Sequence, residues 1–70
     1  MFIAAFRSSV ISGYAYNAEA LTLDIRFHGG LVYRYFYVPA PIYLGLEQAR
    51  SKGTYYNVRI KGQFVSMQIA

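Results

Sequence analysis

The side chains best suited to chemistry in this chain are one imidazole, a few hydroxyls and three carboxylates. His28 lies in a His-Gly-Gly turn, and Ser8, Ser9 and Asp24 are the candidates for a nucleophile and an orienting acid. A general base needs such partners within hydrogen-bonding reach, and nothing in this pattern indicates that arrangement. We therefore predict that the protein is not an enzyme and has no catalytic residues.

Metal and cofactor binding are not indicated either. Three acidic residues spread over three predicted elements, one histidine and no cysteine do not form a recognisable ligand set. Gly29-Gly30 is not a phosphate loop, because no Lys-Ser or Lys-Thr pair and no helix start follows it. We predict no metal and no cofactor.

The positive charge is concentrated in the last third of the chain. The net charge is +4, and the last acidic residue is Glu47. Four basic residues follow it: Arg50, Lys52, Arg59 and Lys61. Clustered cations of this kind attract phosphates or an acidic partner. A solvated face that only increases solubility is the alternative explanation.

Residues 31–39 are the stretch around which the predicted fold is organised, because they alternate like a strand and end at a proline. One face carries Leu31, Tyr33, Tyr35 and Tyr37. The other carries Val32, Arg34, Phe36 and Val38. Both faces are partly apolar, so we place this strand in the middle of a small sheet.

Two earlier strands, over residues 8–16 and 21–27, are predicted to pair with it. A three-residue turn at 28–30 sets Ile25 opposite Tyr33 and Asp24 opposite Arg34. A tighter Gly29-Gly30 turn would mix charges into the apolar face, so we reject it.

The turn between the first two strands is assigned by the same reasoning. Keeping one apolar face predicts these pairs: Tyr16 with Leu21, Tyr14 with Leu23 and Val10 with Phe27.

A helix is predicted to begin near Pro41, with Ile42, Leu46 and Ala49 at helical spacing and Gly53 as the C-cap. Residues 54–61 fit a strand or a second short helix, and propensity slightly favours the strand. Residues 65–69 fit a short edge strand, and residues 2–6 either a leading strand or a disordered leader. The predicted fold is a single α+β domain over residues 1–70: a three-stranded antiparallel meander with one packed helix, then a short C-terminal strand or helix.

The composition is typical of a small protein without disulfides. Hydrophobic residues make up 56% of the 70 residues, and there is no cysteine. No segment approaches the roughly 20 apolar residues of a membrane span, and Arg7 comes too early for a secretory signal. We expect a cytoplasmic protein without membrane contact, part of whose apolar surface meets a partner or a second copy.

Aromatic and basic residues are predicted to meet on the sheet. Arg26, Arg34 and Phe36 share one face, which suits single-stranded nucleic acid or an acidic peptide, unless Arg34 only pairs with Asp24. Tyr33 and Tyr35 share the other face, as core residues or as a platform for unpaired bases.

Several short motifs occur in a familiar order. They are Ser8-Ser9, Gly13-Tyr14, residues 21–27, residues 32–36, Val38-Pro39, Ser51-Lys52-Gly53, and then Tyr56, Asn57 and Ile60. With these motifs the chain, over residues 7–64, resembles the KTSC domain, which is named for the C-terminus of some lysyl-tRNA synthetases and also occurs in single-domain bacterial proteins. The family's hallmark Tyr-x-Tyr corresponds to Tyr33 and Tyr35. Family members often continue into a Tyr-Pro and basic tail, whereas residues 63–69 here are neutral and largely apolar.

The resemblance implies RNA binding, because the family is found together with a tRNA synthetase. We therefore expect a small non-catalytic module that binds RNA or single-stranded nucleic acid through Arg26, Arg34, Phe36, Arg50, Lys52, Arg59 and Lys61. The alternative is a protein-protein interaction module, or a homo-oligomeric bacterial or phage regulator that docks on a larger protein. A homodimer or another protein partner would then cover the apolar surface.

Overall fold

The structure, a computed structural model, describes residues 1–5 and 8–70. In this part of the chain an antiparallel sheet has the strand order β1-β2-β3-β4-β5. The strands are β1 (Ile3–Ala4), β2 (Ile11–Asn17), β3 (Thr22–Phe27), β4 (Val32–Tyr35) and β5 (Ser66–Gln68). The helical elements are α1 (Ala40–Gln48), α2 (Lys52–Tyr55) and a π-helical segment (Tyr56–Ile60) that continues α2.

The α+β class is confirmed, but the sheet is larger than the predicted three-stranded meander. The short edge strand predicted within 65–69 is present as β5, and it pairs with β4. Of the two alternatives for residues 2–6, the leading strand is present in part: Ile3–Ala4 forms β1 beside β2, while Phe6 lies outside the described residues. β1 and β5, of two and three residues, extend the predicted meander at its two edges.

The predicted pairing of β3 with β4 is confirmed. Ile25 lies opposite Tyr33, Leu23 opposite Tyr35 and Asp24 opposite Arg34. Ile25 and Tyr33 therefore belong to the same face, and Tyr33 packs against the core. The three-residue turn was the correct choice, because it alone keeps the apolar positions together.

The predicted pairing of β2 with β3 is wrong by two residues. Tyr16 pairs with Leu23, and Tyr14 pairs with Ile25. The connecting turn has the expected four residues but lies one position later, at 18–21, where Asn17 Oδ1 accepts hydrogen bonds from the Glu19 and Ala20 amides at 3.1 Å. A shift of two residues preserves the faces, so both tyrosines still pack inward.

A β-bulge between Ile11 and Gly13 corrects a second assignment. Ile11, rather than Val10, pairs with Phe27. Ile11 is fully buried, whereas Val10 is exposed. The extra residue of a bulge shifts the alternation by one position, which period-two reasoning does not anticipate.

A similar correction applies at the end of residues 31–39. Tyr37 has φ 57° and is 78% exposed, and Val38 is fully buried instead. A left-handed residue reverses the direction of the chain locally and breaks the alternation. The Val38 carbonyl accepts a hydrogen bond from the Tyr16 hydroxyl at 2.6 Å, which fixes this turn to the sheet.

The helical region differs most from the prediction. α1 follows Pro39 as expected, but it ends at Gln48, and Gly53 is not its C-cap. The strand favoured for residues 54–61 is wrong: α2 and the π-helical segment occupy this stretch. Tyr56 and Ile60, spaced four residues apart as a helix requires for side chains on one face, are both buried.

The core lies between the helical layer and one face of the sheet. Its fully buried large side chains come from both layers: Ile11, Leu23, Ile25, Val38, Leu46 and Ile60. The opposite face of the sheet carries no helix in the described part of the chain, so the sheet has one covered and one open face.

Gly45 shows how closely the two helices approach. The Tyr55 hydroxyl donates to the Ile42 carbonyl at 2.9 Å, and a Cβ added at Gly45 would lie 2.6 Å from Tyr55 Cζ. Glycine ordinarily destabilises a helix, but here it makes room for the ring.

We expect Gly45→Ala to lower the free energy of unfolding by about 1 to 2 kcal/mol, because overpacking outweighs the gain in helix propensity. Urea denaturation measures the change. In a Tyr55→Ala background the same substitution should be neutral or stabilising. Stabilisation of the otherwise unchanged protein by Gly45→Ala would contradict the close approach.

Candidate nucleic-acid interface

The seven residues predicted to contact nucleic acid lie on two opposite sides of the sheet. The strand alternation puts Arg26, Arg34 and Phe36 on the open face, away from the helices. The helical layer and the turn after it carry the others: Arg50, Lys52, Arg59 and Lys61. The structure therefore does not bring the seven together into one surface.

On the open face, Arg34 forms an ion pair with Asp24. Its Nε and a terminal nitrogen donate to the two carboxylate oxygens at 2.8 and 2.9 Å. The hydrogen bond to Asp24, together with the carboxylate's charge, raises the pKa of Arg34. This bidentate pairing neutralises the charge that was predicted to attract a phosphate.

Arg26 is also engaged with its neighbours. Its Nε donates to the Ser12 hydroxyl at 3.1 Å, and its guanidinium lies 4.8 Å from the centre of the Phe2 ring. Phe36 lines a broad groove on the same face, together with Asp24 and Arg34. The aromatic ring and the two cations share this face as predicted, but both guanidinium groups already bond to side chains of this protein.

Lys52 has a structural position. Its ammonium donates to the carbonyls of Leu46, Glu47 and Ala49 at 3.0, 2.8 and 3.3 Å. The ammonium therefore caps the C-terminal end of α1, where carbonyls lack helical partners. This ammonium is the same group that was predicted to contact nucleic acid.

The residues on either side of Lys52 complete this junction. The Ser51 hydroxyl accepts a hydrogen bond from the Thr54 amide at 3.3 Å and begins α2. A Cβ at Gly53 would meet Val10 Cγ2 at 3.3 Å, so the loop at Ser8 packs closely against the helix start. The Ser-Lys-Gly motif thus joins α1, α2 and the loop before β2.

Arg50 and Arg59 differ from the other arginines. Both are exposed, and they line a groove of about 430 Å³ with Thr54 and Val58. Arg50 also borders a smaller cleft of about 280 Å³, whose other walls carry polar side chains: Ser8, Ser9, Ser51, Thr54 and Asn57. Among the described residues, neither arginine has a carboxylate within ion-pair distance.

The Tyr-x-Tyr motif splits between core and rim. Tyr35 is buried, and its hydroxyl lies 2.5 Å from the Tyr56 hydroxyl. Burial first, and then this hydrogen bond, raises the pKa of Tyr35 above its usual range. Tyr33 is only half buried and packs edge-on against Phe27, with 6.0 Å between ring centres.

These tyrosines border a pocket of about 410 Å³ together with Phe27, Tyr56 and Lys61. That Tyr56 and Phe27 line this pocket was not predicted from the sequence. The signal for Tyr56 was its helical spacing from Ile60, which the strand assignment set aside.

His28 does not meet the other candidates for catalysis as a triad. Its Nε2 lies 2.8 Å from the Ser8 carbonyl oxygen, while the Ser8 hydroxyl accepts from the Val10 and Ile11 amides. Asp24 pairs with Arg34 instead. Within residues 1–5 and 8–70, no group of three or more His, Asp or Glu side chains could hold a metal ion.

No helix within residues 1–5 and 8–70 combines the length and the apolar character needed to traverse a bilayer.

The fold and this arrangement of motifs define a small α+β domain, and comparison with known proteins identifies the class. The model of the KTSC domain matches residues 7–64, so the chain belongs to the KTSC domain family. The crystal structure of a KTSC domain protein from Yersinia pestis superposes with a TM-score of 0.92 at 30% identity, covering 100% of this chain and 97% of that one.

Curated relatives fall into two kinds. A lysine–tRNA ligase of Nostoc punctiforme is 42% identical over 62 residues, which are 89% of this chain but 11% of that protein. The chain thus spans about a ninth of the ligase. A protein of Stutzerimonas stutzeri is similar along most of its length, with 34% identity over 59 residues that cover 84% of this chain and 83% of the other.

We expect Lys52→Met to lower the free energy of unfolding by about 1 to 3 kcal/mol, because the α1 carbonyls are deprived of a charged donor while the apolar stem is kept. Chemical denaturation gives the value. Lys61→Met removes the same charge from an exposed position and should change stability by about 0.5 kcal/mol or less. Equal destabilisation in the two variants would rule out the capping role.

We expect stability to fall as pH rises above about 10. The fold raises the pKa of Tyr35, so it favours the neutral phenol, whereas the unfolded tyrosine ionises near pH 10. The contribution is complete below that pH and is lost at higher pH. Thermal midpoints from about pH 8 to about pH 11 should show a steeper fall for the natural chain than for Tyr35→Phe. Parallel curves would refute the assignment.

Proposed function

We propose that this protein is a small non-catalytic module that binds RNA through the helical side of the domain. The contact surface is the groove between Arg50 and Arg59, with the adjacent cleft at Ser9 and Asn57. Arg50 borders both hollows, so a bound strand continues from one to the other.

The observation that carries the proposal is the contrast between the two sides of the sheet. Arg34 and Arg26 on the open face are bound to Asp24 and Ser12. Arg50 and Arg59 have no such partner among the described residues. Unpaired arginines beside hydroxyl and amide side chains suit a sugar-phosphate backbone, since phosphates accept hydrogen bonds from guanidinium groups as well as from hydroxyls and amides.

The relatives support RNA as the nucleic acid. Lysine–tRNA ligases of Nostoc carry a region about 40% identical to this chain, and their name states that they act on tRNA. A domain related to this one is therefore part of an enzyme that meets RNA.

The alternative is protein binding through the open face, and one observation favours it. Near Phe36 the edge strand β5 presents uncharged side chains, and Met67 is 55% exposed there. Val32 and Val38 do not contribute to such a surface, because both are buried. Mass measurement in solution separates the two proposals: a stable dimer that Met67→Lys dissociates favours the open face.

We expect Arg50→Gln/Arg59→Gln to weaken binding to single-stranded RNA at every sequence tested. The slope of log affinity against log salt concentration should become shallower by about 0.7 for each phosphate that the variant no longer neutralises. Fluorescence anisotropy between about 50 and 300 mM salt measures both quantities.

The matched control is Arg26→Gln/Arg34→Gln, which removes the same two charges from the open face. It should leave the salt slope nearly unchanged. Both variants lose the same long-range attraction, but only Arg50→Gln/Arg59→Gln loses direct contacts with phosphates. Equal weakening in both variants, or no RNA binding by the natural chain at low salt, would contradict the proposed surface.

A further inference from the structure

The pocket beside the Tyr-x-Tyr motif is not part of the proposed groove. Four aromatic rings, those of Phe27, Tyr33, Tyr35 and Tyr56, line it, and Lys61 stands at its edge. Its volume of about 410 Å³ lies within the range of small-ligand pockets, which is roughly 300 to 1,000 Å³.

The two innermost hydroxyls leave one proton without an acceptor. Tyr35 and Tyr56 are 4% and 7% exposed, and their oxygens are 2.5 Å apart. Two phenols carry two O–H protons, and the bond between them uses one. No other acceptor among the described residues contacts either oxygen. A buried donor of this kind needs a partner, and both residues border the pocket.

The aromatic rings are held in fixed positions around this donor. Phe27 packs edge-on against Tyr56 at 5.3 Å and against Tyr33 at 6.0 Å. Tyr33 remains half exposed beside the opening. The pocket therefore offers ring surface whose position is set before any ligand arrives.

Lys61 adds an exposed charge at the edge of the pocket. Its amide closes the π-helical segment by donating to the Tyr56 carbonyl at 2.8 Å. No carboxylate among the described residues lies within ion-pair distance of its ammonium. It comes two residues after Arg59, so the proposed groove and this pocket border the same helical segment.

We propose that this pocket binds one unpaired nucleobase of single-stranded RNA. The base packs against the rings of Tyr33 and Phe27, a carbonyl or ring nitrogen of the base accepts the remaining tyrosine proton, and Lys61 holds the adjacent phosphate. A nucleotide is the ligand that combines a flat π-surface, an acceptor on its edge and a negative charge. The inference rests on the proposed function, since the rest of the strand is held at Arg50 and Arg59.

The test compares two strands of equal length on the unaltered protein. One is ordinary single-stranded RNA, and the other is built from abasic sites, which keep the phosphates and remove the bases. We expect the base-bearing strand to bind about 5 to 150 times more tightly, which is the range that aromatic stacking of one base provides. Equal affinity for the two strands overturns the base pocket.

Variants then locate the preference. Tyr33→Leu should abolish the difference between the two strands and leave affinity for the abasic strand unchanged. Tyr37→Leu is the matched control, because Tyr37 is an exposed tyrosine outside the pocket, and it should preserve the difference. A preference that survives Tyr33→Leu, or disappears equally in both variants, overturns the assignment.

The failure of this inference is distinguishable from failure of the proposed function. If both strands bind equally and Arg50→Gln/Arg59→Gln weakens both, the RNA surface stands and the base pocket falls. If neither strand binds at low salt, both fall.

Discussion

The arrangement of this domain depends on one ammonium group at the junction of its helices. α1 ends at an extended residue, Ala49, with ψ 137°, so its last carbonyls lack the regular helical partners, and among the described residues only Leu46 receives a backbone amide, that of Ala49 at 3.2 Å. Lys52 supplies donors to three of them, while Ser51 begins the next helix at the same place. Because the chain can turn sharply there, α2 and its π-helical continuation return across the sheet. That return brings Tyr56 onto Tyr35, where their hydroxyls join the helical layer to β4.

This geometry divides the arginines into those that bond to a neighbouring side chain and those that remain unpaired among the described residues. Asp24 and Ser12, neighbours across the strands, satisfy the arginines of the open face. On the helical side the inward positions of the π-helical segment belong to Tyr56 and Ile60, and Arg59 is left in solvent. A charge held by a partner contributes little further attraction to a ligand, whereas an unpaired one retains it. The two groups of arginines therefore differ in how strongly their charge can attract a ligand, even though the residue type is the same.

Much of the sheet could be predicted from the sequence, because side-chain parity ties register to burial. The pairing of Asp24 with Arg34 followed from keeping Ile25 and Tyr33 on one face. The left-handed turn at Tyr37 could not be predicted, since that position has no glycine or asparagine to indicate such a backbone. The bulge that buries Ile11 did have a signal, because Gly13 lies at it and a glycine inside a strand often marks a bulge, but the alternating pattern was followed through it. The capping contact of Lys52 had no signal in the sequence. Its charge is evident there, but the carbonyls that accept its hydrogen bonds are available only because α1 ends at Gln48.

The pocket beside Tyr33 follows from how the sheet is completed. After the π-helical segment the chain must cross from the helical layer to the edge of the sheet, where β5 pairs with β4. Gly62 makes that turn with φ 75°, a conformation natural for glycine, and a Cβ there would meet no atom within 4 Å. The crossing leaves an opening between Tyr56 and Ser66, with Tyr33 and Tyr35 on its sheet side. Two residues of one strand motif thus differ in their surroundings: Tyr35 fixes the layers together, while Tyr33, two residues nearer the turn at 28–30, stays half exposed beside the pocket.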